Sequence, residues 1–172
     1  AVMSSSLGLE IGLLRTLLED RTFLAAKGSS AWLTDLARLA GANPKPTEAV
    51  SILRLILGEP QPAGRRAELL TALGSGLARR GESVSGVLAD SATPAPIRAA
   101  ADRVFRQAVS NVAQPAASSS DRVSSAQLLG FAPARVAVPA LAGRLGPGDP
   151  PALQQAAVTS LARPPGPKTW LA

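Results

Sequence analysis

The sequence contains no cysteine, no histidine and no tyrosine, and only two tryptophans and three phenylalanines. Without cysteine and histidine, its own residues cannot form a disulfide, a cysteine-ligated zinc site, a c-type haem attachment or an imidazole-based catalytic triad. Because aromatic side chains are scarce, the core has to be aliphatic. Alanine and leucine far outnumber valine and isoleucine, a balance that favours helices over strands.

The chain is basic, with 18 Lys and Arg against 12 Asp and Glu, but the excess is spread thinly. Two arginine doublets, Arg65-Arg66 and Arg79-Arg80, lie near opposite ends of one predicted helix, about 21 Å apart at 1.5 Å per residue. Nucleic-acid binding favours several arginines along one face, with aromatic rings for stacking. The sequence therefore predicts no nucleic-acid partner.

No segment resembles a membrane span or a targeting signal. The longest stretch without a charged residue runs from Gln107 to Ser120, which is shorter than the roughly 20 apolar residues that cross a bilayer. Glu10 and Arg15 follow the first residues closely, which fits neither a signal peptide nor a transit peptide. We expect any export signal to lie outside this chain.

Apolar residues recur at three-to-four spacing in segments that Pro, Gly, Ser or Asp interrupts, which predicts a series of short helices. A break is expected near Asp20, and helix ends are expected at Gly41 and Gly58, with a left-handed Gly41. The predicted buried faces are Leu9, Leu13 and Leu17; Trp32 or Leu33, Leu36, Leu39 and Ala40; Ala49, Val50, Leu53, Ile56 and Leu57; Arg66, Leu69, Leu70, Leu73 and Leu77; Val84, Val87 and Leu88; and Ile97, Ala101, Val104, Phe105, Ala108 and Val112.

Two glycines, Gly74 and Gly76, fall inside the predicted helix of residues 62–81. Each costs about 1 kcal/mol relative to alanine, so either the helix bends there or another backbone approaches closely. The stretch begins like a dinucleotide-binding loop, but Arg79 replaces the third glycine and the context is helical. It therefore predicts no phosphate site.

The second half of the chain has a more regular pattern. Val123, Ala126 and Leu129 end at Gly130, and Gln155, Val158 and Leu161 repeat the spacing 32 residues later. Such a repeat favours an all-α solenoid of HEAT or armadillo type, built from antiparallel helix pairs. We expect one domain over residues 1–172, irregular over 1–114 and more regular over 120–172, as a fragment of a larger chain.

Catalytic constellations are missing from the sequence. Its carboxylates have the positions of helix caps and helix partners: Asp149 before Pro150 fits an N-cap, and Asp102 lies at i, i+4 spacing from Arg98 and from Arg106. No catalytic, cofactor-binding or metal-binding residue is predicted, and we expect this chain not to be an enzyme.

Four segments resemble a known family. They are residues 31–42 (AWLTDLARLAGA), 77–81 (LARRG), 126–130 (AQLLG) and 149–158 (DPPALQQAAV). Together they are similar, in the same order, to the HEAT-like helical region of the PVC-type haem-binding CxxCH proteins, which are multidomain, membrane-bound-dehydrogenase-like proteins. The resemblance implies a secreted or periplasmic location and a helical spacer between a sugar-dehydrogenase-like β-propeller and a cytochrome c domain. Haem c would then belong to a domain outside this chain.

The resemblance implies that neighbouring domains of the same polypeptide, or a separate protein, are the partners. The alternative is a free-standing α-solenoid adaptor that binds a peptide or a protein. The final repeat looks unfinished, so residues Leu153, Val158, Leu161, Trp170 and Leu171 are expected to be partly uncovered.

We expect the isolated chain neither to bind haem nor to reduce dye acceptors in the presence of sugars, because it has no histidine or cysteine ligand. The measurement is a search for a Soret band after haem is added to the purified protein, followed by dye-reduction assays with aldoses. Stoichiometric haem uptake or turnover would show that the scaffold hypothesis is wrong.

Overall fold

The computed structural model describes residues 9–42, 48–58 and 61–163, and all regular elements in this part are α-helices. The predicted all-α class is therefore confirmed. The helices are α1 (Glu10–Glu19), α2 (Arg21–Ala25), α3 (Ser29–Ala42), α4 (Glu48–Leu57), α5 (Ala63–Ala78), α6 (Val84–Ala89), α7 (Ala95–Ala113), α8 (Ser119–Leu129), α9 (Ala134–Ala142) and α10 (Pro151–Leu161).

The chain divides into two compact units, Ala1–Glu82 (unit 1) and Ser83–Ala172 (unit 2). Within unit 1, α3 packs mainly on α5, and α1 and α4 also contact α3. Within unit 2, α8 packs on both α7 and α10, while α9 contacts α7 and α10. The finer expectation of one domain with solenoid stacking stays a prediction.

The predicted break near Asp20 is confirmed. Asp20 separates α1 from α2, and its Oδ1 accepts the backbone N–H groups of Thr22 and Phe23 at 2.8 and 3.1 Å. These are donors that the first turn of a helix leaves without an intrahelical acceptor, so the carboxylate caps α2. As a result, α1 ends after ten residues and α2 begins at Arg21, instead of one longer helix.

In unit 1, the predicted face of α1 is shifted by one residue, and that of α3 is confirmed except at one position. In α1 the buried residues are Glu10, Leu14 and Leu18, while Leu9 is 66% exposed. In α3, Leu33, Leu36 and Ala40 are buried as predicted, with Trp32 exposed instead of Leu33, but the predicted Leu39 is wrong because it is 37% exposed. A leucine-rich helix offers two overlapping stripes, and its packing partners determine which stripe is buried.

The other main faces agree with the expected periodicity. Leu53, Ile56 and Leu57 in α4 are buried, although the predicted Val50 is only half-buried. In α5 the four predicted leucines are buried, and all six predicted residues of α7 are buried. Pro94 precedes α7 and Pro96 occupies its first turn, where the missing N–H costs nothing.

Two glycines allow the backbones of α3 and α5 to touch. A Cβ atom on Gly76 would overlap the carbonyl oxygen of Arg38 and lie 2.9 Å from the backbone nitrogen of Ala42. A Cβ atom on Gly41 would lie 2.5 Å from the carbonyl oxygen of Leu73. Of the two sequence alternatives for Gly76, close backbone approach is therefore the correct one, and α5 continues through this position.

The prediction that Gly41 ends α3 in a left-handed conformation is wrong. Gly41 lies inside α3, and the described glycines with positive φ are Gly28 and Gly81. The glycine is needed for the contact with α5, because any side chain at this position would meet Leu73. Glycine is used both to end helices and to allow two helices to come close together, so the sequence pattern alone does not distinguish these two roles.

The buried face of α10 also differs from the predicted stripe. Leu153, Ala156, Ala157 and Ser160 are buried, whereas Gln155 is exposed and Val158 is 55% exposed. This face is made of small residues because α10 approaches the end of α8: a Cβ on Gly130 would lie 2.9 Å from Cβ of Ser160. The expectation that Leu153 is partly uncovered is therefore wrong, the same expectation is confirmed for Val158 and Leu161, and Trp170 and Leu171 lie outside the described residues.

We predict opposite stability effects for two glycine substitutions in α5. Gly76→Ala should lower the free energy of unfolding by about 2 kcal/mol or more, because its methyl group would collide with the α3 backbone. Gly64→Ala should raise it by up to about 1 kcal/mol, because that Cβ would meet no described atom within 4 Å. Urea unfolding followed by circular dichroism measures both, and a neutral or stabilising Gly76→Ala would contradict the close contact.

Candidate functional site

The described residues contain no group of three or more Asp, Glu, His or Cys side chains that could hold a metal ion. In the same part of the chain, no helix is long and apolar enough to span a membrane. The remaining candidates are the buried charged side chains and the concave surfaces, which we consider in turn.

Asp149 is an ion-pair centre, and the prediction that it caps α10 is wrong. Its Oδ1 accepts a hydrogen bond from Nη2 of Arg122 at 2.5 Å, and its Oδ2 lies 3.5 Å from Nη1 of Arg144. Pro150 occupies the N-cap position of α10, and no side chain caps it. Asp149 is only one residue away from the cap, but its carboxylate is used by two arginines.

The Arg122 guanidinium joins three parts of unit 2. In addition to Asp149, it uses Nε to donate a hydrogen bond to the carbonyl oxygen of Val112 at 3.2 Å. Arg122 lies in α8, Val112 near the end of α7, and Asp149 in the loop before α10. The side chains of Arg122 and Asp149 are 8% and 13% exposed, so each neutralises a charge that would otherwise be costly to bury. This arrangement supports the fold.

Other arginines of unit 2 are also held by internal contacts. Arg98 donates from Nη1 to the carbonyl oxygen of Thr93 at 2.7 Å, just before α7. The guanidinium of Arg163 lies 4.0 Å from the centre of the Phe131 ring, a cation–π contact. Burial lowers the pKa of Arg163. These side chains, like Arg122, are engaged in packing and hydrogen bonding.

An open groove lies between α7 and α9 and has a volume of about 630 Å³. We call it the α7–α9 groove, and its lining residues are Arg106, Val109, Ser110, Val136, Pro139 and Ala140. Four of the six are apolar. Ser110 has no histidine or other base among these lining residues, so the lining offers contact surface but no acid–base pair.

Three arginines in or next to the lining of this groove form no ion pair with a carboxylate of the described residues. Arg106 lines it, Arg103 lies one helical turn earlier on α7, and Arg135 precedes Val136 on α9; all three are exposed. Among the described residues, no ion pair joins any of them to a carboxylate. The predicted support of Arg98 and Arg106 by Asp102 is therefore not observed at ion-pair distance.

Proline forms part of the α9 wall of the groove. Pro139 lies inside α9 and lines the groove. It has no N–H group, so it cannot donate the hydrogen bond that a helix residue normally gives to the carbonyl oxygen four residues earlier. On the α9 side, the groove therefore presents an apolar ring close to the guanidinium of Arg135.

The sequence features of α5 do not converge on a binding site. Gly76 of the glycine-containing stretch is buried against α3, as described above. Arg65 and Arg66 are half-buried in the first turn of α5, whereas Arg79 and Arg80 follow its last residue. Arg80 forms an ion pair with Glu82 at 2.6 Å. The two doublets therefore remain at opposite ends of one helix.

Sequence reasoning named no binding residue, and it missed the α7–α9 groove. One signal was present: Arg106 and Ser110 follow Arg103 on the polar side of α7, beside Val109. A valine at the edge of a polar face is too common to indicate a groove by itself. The other wall comes from α9, whose position against α7 is not visible in the sequence.

No protein-family model matches the chain, and the searches of curated proteins and of solved structures found no match either.

We predict that Asp149→Asn lowers the free energy of unfolding by about 3 kcal/mol or more, because it leaves the buried Arg122 charge without its counter-charge. The matched control is Asp35→Asn in the surface ion pair with Arg38, whose side chains are 48% and 43% exposed. That change should cost less than about 1 kcal/mol. Urea unfolding of both variants provides the comparison, and equal losses would contradict a structural role specific to Asp149.

Proposed function

We propose that this chain is a non-catalytic helical module that binds a protein partner through the α7–α9 groove. The observation that carries the proposal is the combination of an open, mostly apolar groove with a lining that lacks acid–base and metal-binding groups. Such a surface can bury a partner's apolar side chains, and it offers no group to activate a substrate.

The distribution of charged groups supports the same proposal. Arg122 and Arg144 share the carboxylate of Asp149 inside unit 2, and Arg163 packs on Phe131. Charges used in this way stabilise a helical framework. The groove arginines are the ones left for contact with another molecule.

A narrower proposal places this module in a secreted or periplasmic oxidoreductase, between a sugar-dehydrogenase-like β-propeller and a cytochrome c domain. Its support is the resemblance of residues 31–42, 77–81, 126–130 and 149–158 to the helical region of the PVC-type haem-binding CxxCH proteins. In that setting, the groove's partner would be a neighbouring domain of the same polypeptide. The free-standing adaptor remains the alternative proposal, and a HEAT-like solenoid is the architecture proposed in both cases.

The proposed function predicts that a photo-crosslinking amino acid at Ser110 captures a defined protein partner or a neighbouring domain. The full chain, in the cells that encode it, would carry benzoylphenylalanine at Ser110, which lines the groove, or at the control Ser124, which is exposed on α8. The captured protein should then bind the purified chain reversibly, and its mass should be unchanged after incubation.

Equal capture at Ser110 and Ser124, or capture at neither position, would contradict the use of this groove for protein binding. Chemical modification of the captured protein by the purified chain would contradict the non-catalytic part of the proposal.

A further inference from the structure

We infer that the α7–α9 groove binds a peptide segment whose apolar residues are flanked by aspartate or glutamate. This inference rests on the proposed function and specifies the chemistry of the partner. It depends on where the arginines of unit 2 that have no ion-pair partner in the described residues lie relative to the α7–α9 groove.

The seven arginines in the described part of unit 2 fall into two groups. Arg98, Arg122, Arg144 and Arg163 each contact a carbonyl oxygen, a carboxylate or an aromatic ring. In the described residues, Arg103, Arg106 and Arg135 have no ion-pair partner. All three of the latter lie in the groove or within one helical turn of a lining residue.

This segregation leaves like charges close together. Arg103 and Arg106 are three residues apart on α7, a spacing at which two cations repel each other on a helix surface. Asp102 is the nearby carboxylate in the sequence, but it forms no ion pair with Arg106 among the described residues. Carboxylates from a partner would remove this repulsion, whereas added cations would increase it.

The groove lining determines which apolar side chains the partner would carry. Val109, Val136, Pro139 and Ala140 offer apolar surface with no exposed aromatic ring among them. Base stacking on aromatic side chains is the usual source of affinity for single-stranded nucleic acids, so this lining favours aliphatic side chains over bases. The groove is open to solvent, so it would contact one side of a bound segment.

Synthetic peptides of about four helical turns test the inference. The first carries leucines at three-to-four spacing with glutamates between them; the second has lysines in place of the glutamates; the third keeps the glutamates and replaces the leucines by serine. A fluorescently labelled single-stranded oligonucleotide serves as the competing ligand class. Each fluorescently labelled peptide, and the oligonucleotide, is titrated with the full chain at physiological salt. The rise in the fluorescence anisotropy of the labelled ligand gives its dissociation constant.

We expect the leucine–glutamate peptide to bind at least about tenfold more tightly than either of the other two peptides. The double variant Arg103→Glu with Arg106→Glu should lose at least about tenfold in affinity for it. A matched control, Arg54→Glu with Arg79→Glu, makes the same charge change at exposed positions of unit 1 and should change affinity less than about threefold. Ser110→Trp, which fills the groove without a charge change, should also weaken binding.

Equal affinity for the glutamate and lysine peptides, equal losses in the two double variants, or tighter binding of the oligonucleotide would each overturn the inference. If these results are obtained while the Ser110 crosslink still captures a partner, the partner's proposed acidic character is wrong and the proposed function stands. If the Ser110 crosslink also fails, both are wrong.

Discussion

The whole fold is constrained by a core that has to be assembled from aliphatic and small side chains. The ten described helices are 5 to 19 residues long, and all but α5 and α7 are shorter than about 15 residues, a length at which an isolated helix is marginal in water, so packing has to stabilise them. With few aromatic rings to fill wide gaps, the helices come close together. The Gly41–Gly76 region of α3 and α5 and the Gly130–Ser160 contact of α8 and α10 are the clearest cases.

Close packing of this kind limits where charged residues can be placed. Arg122 is almost fully buried, so its charge has to be balanced within the unit, and Asp149 and the carbonyl oxygen of Val112 provide the partners. The arginines around the α7–α9 groove are exposed and do not face this constraint. The proposed function therefore depends on a division of the arginines of unit 2 into those that hold the fold and those that remain available to a partner.

The helices and most of their faces could be predicted from the sequence, because proline, glycine and capping residues mark the ends and leucine spacing marks the buried side. The faces of α1 and α10 could not, for different reasons. In α1, adjacent leucine stripes overlap, and in α10 the buried face consists mainly of small residues while the more apolar Val158 is exposed.

The tertiary roles of Gly41 and Asp149 were also out of reach of sequence reasoning. Each has a common local role, as a helix terminator and as an N-cap, and each is used instead for a contact with a distant part of the chain. The α7–α9 groove was missed for a related reason, since its two walls lie about 30 residues apart in the sequence. Local patterns predict local structure, and these three features depend on packing between helices.

The division of the arginines can be measured directly by the solvent exchange of their Nε–H protons in an arginine-labelled ¹⁵N NMR spectrum. We expect slow exchange for Arg122, whose Nε–H is buried and hydrogen-bonded to the carbonyl oxygen of Val112. We expect fast exchange for Arg103, Arg106 and Arg135 in the unliganded chain, because all three are exposed. A groove arginine as protected as Arg122, or an Arg122 that exchanges as fast as the groove arginines, would show that this division is wrong.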